Sequence, residues 1–137
     1  MSELVPFDSD VLIDVLRKDV IAEALRTSFG SAGPLGISEI SRMETIRGCR
    51  SAEVQQRAEK LLRCFQVISL DAGISQRTDE LATRFYLSHS LAVADALIVA
   101  TALEYELPLL SKNQRDFQFV RDKVNLKLLL YPSIPAA

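Results

Sequence analysis

Histidine and cysteine are nearly absent: His89, Cys49 and Cys64 are all that 137 residues contain. An ordinary zinc cage of imidazoles and thiolates needs more than this, so any metal held by the chain must be held by oxygen. The two thiols read as reduced and mostly buried, and neither has a catalytic histidine beside it in sequence to make it a nucleophile. Long apolar runs are also missing. The longest, Ala96 to Ala100, is far short of the roughly 20 residues that cross a bilayer. Met1-Ser2-Glu3 has neither the basic segment nor the apolar core of a secretion signal, so a cytoplasmic chain without a membrane partner is expected. Nor does one sign of charge dominate, since 16 Lys and Arg against 18 Asp and Glu leave a net charge of −2. A nucleic-acid partner would therefore need a local basic patch. Arginine, the cation better suited to bidentate phosphate contacts, supplies 11 of the 16 positive charges.

What is present fits one folded domain over residues 1–137, with 48% hydrophobic and 25% charged residues and no repeat, low-complexity tract or linker. Short apolar runs alternate with longer periodic ones. Leu4–Phe7 reads as a strand, although Pro6 cannot donate to a ladder. Residues 8–17 and 20–29 read as helices, and Gly30–Pro34 as a loop. A strand at 35–37 precedes a helix from about Ile40, and Ser51 can cap another helix that runs to about Cys64. Further strands are expected at 65–70, 108–110 and 126–130, with helices at 74–87 and 92–105. His89 falls between those two helices, a surface position. Strands separated by crossover helices imply a parallel sheet covered on both faces, an α/β/α sandwich of three layers with a mostly parallel central sheet of about five strands. Function in such sheets gathers beyond the carboxyl ends of the strands.

Acidic residues occur at four such places. Phe7-Asp8-Ser9-Asp10 ends an apolar strand in two carboxylates, and an Asp there can also cap the next helix. Glu44 lies at the shoulder of a helical stripe formed by Ile40, Met43 and Ile46. Asp95 is the one ionisable residue from Leu91 to Leu103. A helix apolar on every side is buried, and a buried carboxylate needs a cation, a cluster of donors or a cleft. Finally, Leu109-Leu110-Ser111-Lys112-Asn113-Gln114-Arg115-Asp116-Phe117 ends a strand in a polar turn with an amide and a carboxylate three residues apart. Oxygen ligands converging from several strand ends suit Mg²⁺ or Mn²⁺, which activates water in phosphodiester cleavage.

The order Asp8-Ser9-Asp10-Val11-Leu12-Ile13, Glu44 followed by Gly48, Asp95-Ala96-Leu97-Ile98 followed by Ala100-Thr101-Ala102, then Ser111-Lys112-Asn113 and Asp116-Phe117, resembles the PIN domain. It is closer still to the VapC-type ribonuclease toxins of toxin–antitoxin pairs. The resemblance covers nearly the whole chain. It implies a PIN-like fold and Mg²⁺-dependent hydrolysis of RNA, with Asp8, Glu44 and Asp95 as metal-binding acids. Asn113 or Asp116 would fill the fourth place, with Asp116 a further catalytic acid. Ser9 and Asp10 would support the site; the family more often has Asn at the position of Asp10. Arg42, Arg47, Lys112 and Arg115 are the nearby cations for phosphate contacts, and Arg47 could instead pair with Glu44. A homodimer and a cognate antitoxin covering the cleft are implied as partners.

Three other readings compete. Asp8-Ser9-Asp10 also resembles the start of a haloacid-dehalogenase-type phosphatase, with Asp8 as nucleophile and Asp10 as general acid, although Leu12 stands where such enzymes want Thr or Val. A response-regulator receiver would need an acceptor such as Asp71 ending the third strand. A PIN-like binding module without catalysis would need a degraded site, against which stand the intact Asp8, Glu44 and Asp95.

Overall fold

In the computed structural model, which describes residues 4–18, 20–32 and 34–129, each run expected as a strand contains a short strand, and the periodic stretches are helices. The order is β1 (Val5–Pro6), α1 (Ser9–Leu16), α2 (Val20–Ala32), β2 (Leu35–Ser38), α3 (Glu39–Arg47), α4 (Ala52–Leu62), β3 (Gln66–Ile68), α5 (Ala72–His89), α6 (Val93–Glu104), β4 (Leu109–Leu110), α7 (Gln114–Lys123) and β5 (Leu128–Leu129). Four of the helices start on a residue whose side-chain oxygen accepts an amide hydrogen of the first turn: Asp8, Ser38, Ser51 and Asp71. No described helix is long and apolar enough to cross a membrane.

The five expected strands are present, all pairs are parallel, and they form a ladder of three and a ladder of two. A single bridge, Phe7 to Leu110, joins the ladders and makes the spatial order β3-β2-β1-β4-β5, with β1 in the centre. Pro6 is tolerated there because alternate residues of a strand donate to opposite sides. The Val5 and Phe7 amides donate toward β2, to Pro34 at 3.4 Å and Gly36 at 2.9 Å, whereas the Asp8 amide donates to Leu110 at 2.8 Å. The missing amide hydrogen of Pro6 thus faces the β4 side, ahead of the one point where β4 meets β1.

Consecutive residues of β4 show that the sheet is covered on both faces, since side chains alternate across a strand. Leu110 packs into a core with Phe7, Val11, Leu12, Ile37, Leu62 and Phe65. Leu109 packs into another, built on α5, α6 and α7, with Ile74, Phe85, Val99, Phe117 and Val120. The expected three-layer arrangement follows.

Several local expectations are corrected. Gly30, expected in a loop, lies inside α2, which runs on to Ala32; one helical glycine costs only about 1 kcal/mol. Residues 114–123 form α7 and not an extended polar turn, because Phe117 and Val120 sit one turn apart and bury completely. His89 is at the surface as expected, but it ends α5, and its ring stacks on Phe119 with centroids 3.8 Å apart. Cys49 is half-buried and Cys64 exposed. Of the Ile40–Met43–Ile46 stripe on α3, Ile40 and Ile46 are half-buried against the two cores and Met43 is exposed; the fully buried positions are Ser41 and Thr45. Their hydroxyls are satisfied locally: Thr45 Oγ1 donates to the Ser41 carbonyl at 2.8 Å, and Ser38 Oγ donates to Ser41 Oγ at 2.9 Å. Small, internally bonded side chains let α3 lie against both α1 and α6. Of the fifth strand expected at 126–130, β5 covers Leu128–Leu129 and Leu130 lies outside the described residues.

Phe7 lies between Phe29 and Phe65, edge-on to both at centroid distances of 6.0 and 5.4 Å, and is wholly buried. Phe7→Ala is expected to lower the unfolding free energy by about 3–5 kcal/mol, measured by urea denaturation. Leu87→Ala, at a position 93% exposed, should change it by less than about 0.5 kcal/mol. Equal effects of the two substitutions would contradict the central placement of β1.

Candidate active site

Asp8 follows Phe7, the bridge residue that continues the central strand, and both of its carboxylate oxygens are held. Oδ1 accepts the Ser9 amide at 2.7 Å, and Oδ2 accepts the Ser111 hydroxyl at 2.7 Å. Ser111 is the corresponding first residue beyond β4 and is completely buried, as Asp8 nearly is. The same hydroxyl lies 3.3 Å from Asp10 Oδ2 and accepts the Asn113 amide at 3.0 Å. Both Asp10 oxygens stand 3.2 Å from the Lys112 amide, which fastens the start of α1 to the β4–α7 turn. A hydroxyl carries one proton, so Ser111 can donate to Asp8 or to Asp10 but not to both at once.

Ser9 makes a second link of this kind. Its hydroxyl lies 3.2 Å from Glu44 Oε1 and 3.4 Å from Asp8 Oδ1, joining α1 to α3. Asp95 stands in the first turn of α6, where a helix favours negative charge, and it is half-buried in a helix whose residues 98–102 are buried. The negative charge of Asp95 reaches Asp8.

Crowding and burial raise the carboxyl pKa values. Asp8 is pushed up to about 7, first by burial and next by Asp10, with Asp95 adding to the effect; the bonds from Ser111 and the Ser9 amide oppose the rise. Asp10 is raised by burial, against which the Lys112 and Val11 amides act.

The structure therefore brings together Asp8, Ser9, Asp10, Glu44 and Asp95 of the sequence-predicted residues. Asn113 is half-buried at their edge, tied through its amide to Ser111. Asp116 and Arg115 lie on α7, but their side chains are outside the described set. Lys112, read as a phosphate contact, has its ammonium on Asp14 Oδ2 at 2.7 Å. Arg42 and Arg47 are on α3, half-buried and exposed, and among the described residues no ion pair joins either to Glu44 or another acid. Asp71 caps α5 at the surface by accepting the Ile74 amide at 2.8 Å, away from this cluster, which removes the receiver reading.

Two contributors escaped the sequence reading. Ser111 is the hub between two carboxylates, and its signal is its place directly after Leu109-Leu110, matching that of Asp8 after Phe7. Asp14 holds Lys112, and its signal is a spacing of four from Asp10, which puts both on one face of α1.

All the donors in the cluster are oxygen, a set that suits a hard divalent cation. Among the described residues no group of three or more His, Cys, Asp or Glu side chains is placed to hold a metal ion; Asp8, Asp10 and Glu44 are linked through the two hydroxyls. Ser9 links Asp8 to Glu44, and Asp95 acts on Asp8 through its charge. A shared cation would offset the like-charge repulsion that raises Asp8.

The sequence profile of the PIN domain matches residues 6–123. Ribonuclease VapC10 of Mycobacterium tuberculosis is 38% identical over 107 residues, which cover 77% of this chain and 80% of that protein. A toxin–antitoxin complex from Klebsiella pneumoniae contains a chain 26% identical, superposable with a TM-score of 0.75 over 96% of this chain and 99% of that one. VapBC-1 from nontypeable Haemophilus influenzae, at 17% identity, has the same fold, with a TM-score of 0.76 over 95% of this chain and 99% of its own. Likeness that extends from the first strand through α7, in sequence as well as in backbone, makes this chain a member of the PIN domain family, of the VapC type.

Proposed function

We propose that this chain is a metal-dependent endoribonuclease acting as the toxin of a toxin–antitoxin pair, which cleaves RNA phosphodiester bonds by hydrolysis. The observation that carries the reading is the buried Asp8 carboxylate at the end of the central strand, sharing one hydroxyl with Asp10 and linked through another to Glu44. Support also comes from the 38% identity to a protein named as a ribonuclease. Asp8, Glu44 and Asp95 would hold Mg²⁺ or Mn²⁺, with Asn113 or Asp116 in the fourth place. A divalent ion bound there supplies an acidified water and charge neutralisation at the phosphate.

The side chains of the protein have separate tasks. Ser111 and the Ser9 amide fix the two Asp8 oxygens, so the carboxylate keeps one orientation. Ser9 holds Glu44 against α1. Asp10 anchors the turn that carries Ser111 and Asn113. Because Asp10 accepts from the Lys112 amide through both oxygens, it is poorly set to deliver a proton as a phosphatase acid. As partners we propose an antitoxin, as in the toxin–antitoxin complexes that share the fold, and a second copy of the chain.

Two outcomes test the reading. Expression of the wild type in a host should arrest growth and yield new, discrete RNA ends, whereas Asp8→Ala should do neither; equal harmlessness of the two proteins would refute it. The second is a pH dependence. Folded Asp8 releases its proton near pH 7 and the unfolded residue near 3.8. Between those values the folded state binds the extra proton, so this residue's contribution to stability is present at the acid end and lost as pH rises toward 7. In chelator, the Tm of the wild type relative to Asp8→Asn should fall from about pH 5 to about pH 8. Mg²⁺ should raise the wild-type Tm at the upper pH and leave the variant nearly unchanged. A relative Tm that rises with pH would show that Asp8 is not raised.

A further inference from the structure

The basic patch that a chain of net charge −2 would need for RNA lies at one groove. A cavity of about 410 Å³ opens between α1, α3 and α4, with Ile13, Leu16 and Val54 as an apolar floor and Arg17, Arg50 and Arg57 around it. No acidic residue lines it, whereas each of four other cavities, of about 290 to 560 Å³, contains at least one glutamate. All three arginines are exposed, and among the described residues none forms an ion pair. Arg57 makes one long bond, to the Leu16 carbonyl at 3.5 Å. Three like charges gathered without a counter-charge fit an anion.

The groove is continuous with the acid cluster. On α1, Ser9 and Ile13 are four residues apart and share a face; so do Glu44 on α3 and Gly48, which caps its C-terminus. Ser9 meets Glu44 at 3.2 Å. One turn on, Ile13 Cδ1 lies only 3.4 Å from where a Cβ on Gly48 would stand. These are successive rungs of one α1–α3 seam, about 6 Å apart by the helical rise, and Arg17 is a further turn along. The seam thus leads from the carboxylates straight to the arginines.

We infer that this groove holds the RNA strand adjoining the scissile bond, its phosphates on Arg17, Arg50 and Arg57 and one base on the Ile13–Leu16–Val54 floor. The inference rests on the ribonuclease reading and names how the substrate is held. It replaces Lys112, engaged by Asp14, with a set of unpaired guanidiniums. A floor without aromatic rings gives a base dispersion contacts but no stacking, so shape and size would set which base is preferred.

The test uses the full chain in an Asp8→Asn background, with anisotropy of a labelled single-stranded RNA oligonucleotide read across salt concentrations. Arg17→Ala with Arg50→Ala should weaken binding about tenfold and reduce the log–log salt slope by about 1.4, two single-strand phosphate contacts. The double lysine variant should retain the slope. With Asp8 intact, the double alanine variant should raise KM and leave kcat close to wild type. Both positions are exposed, and a melting curve in the far ultraviolet verifies the fold. If the wild type cleaves RNA but the double alanine variant binds with unchanged affinity and slope, the groove assignment fails alone. If that variant instead loses only a glutamate-rich amphipathic peptide, the groove is a protein-docking surface and the assignment fails as well. If the wild type neither binds nor cleaves RNA, the ribonuclease reading itself has failed.

Discussion

A carboxylate buried at the end of the central strand is the constraint from which the rest of the site follows. Asp8 sits where the single bridge between the two ladders closes, its amide held by Leu110 and its side chain by Ser9 and Ser111. Water cannot solvate it there, and the nearest charges are of its own sign. Hydrogen bonds offset part of that penalty and neighbouring acids add to it. Such a group keeps its proton up to about pH 7, and a cation beside it would favour the anion.

Two hydroxyls transmit the placement of Asp8 to the other acids. Ser111 joins it to Asp10 and to the turn before α7, and Ser9 joins it to Glu44 on α3. Neither hydroxyl brings charge, so each can orient a carboxylate without neutralising it. The polar row Ser38, Ser41 and Thr45 serves the same geometry from below, because small side chains bonded to their own helix let α3 approach α1 closely enough for Ser9 to reach Glu44. Lys112, next to this set, is turned to Asp14.

Much of this was legible in the amino-acid order. Alternation of short apolar runs with periodic stretches foretold the layers, and an Asp directly after Phe7 or within the apolar run around Asp95 marked a carboxylate that burial alone could not explain. Spacing also placed Glu44 on a helix: of the apolar stripe, Ile40 and Ile46 pack against the two cores and Met43 is exposed, while the fully buried positions are Ser41 and Thr45. Hydrogen bonds to the helix's own carbonyls make such residues as buriable as apolar ones, and no hydropathy pattern reports that. α7 was missed because charged residues surround its two buried anchors, Phe117 and Val120. The arginine groove was out of reach because Arg17 is far along the chain from Arg50 and Arg57, and only the packing of α1 against α4 brings them to one cavity.

Calorimetric titration of Mn²⁺ into the purified chain, beside Asp8→Asn and Asp95→Asn, bears most directly on whether these acids share an ion. Saturable binding by the wild type, weakened at least roughly tenfold in each variant, is the expected result. Binding that is equal in all three proteins, or absent from the wild type, would mean that residues 8 and 95 do not share a cation.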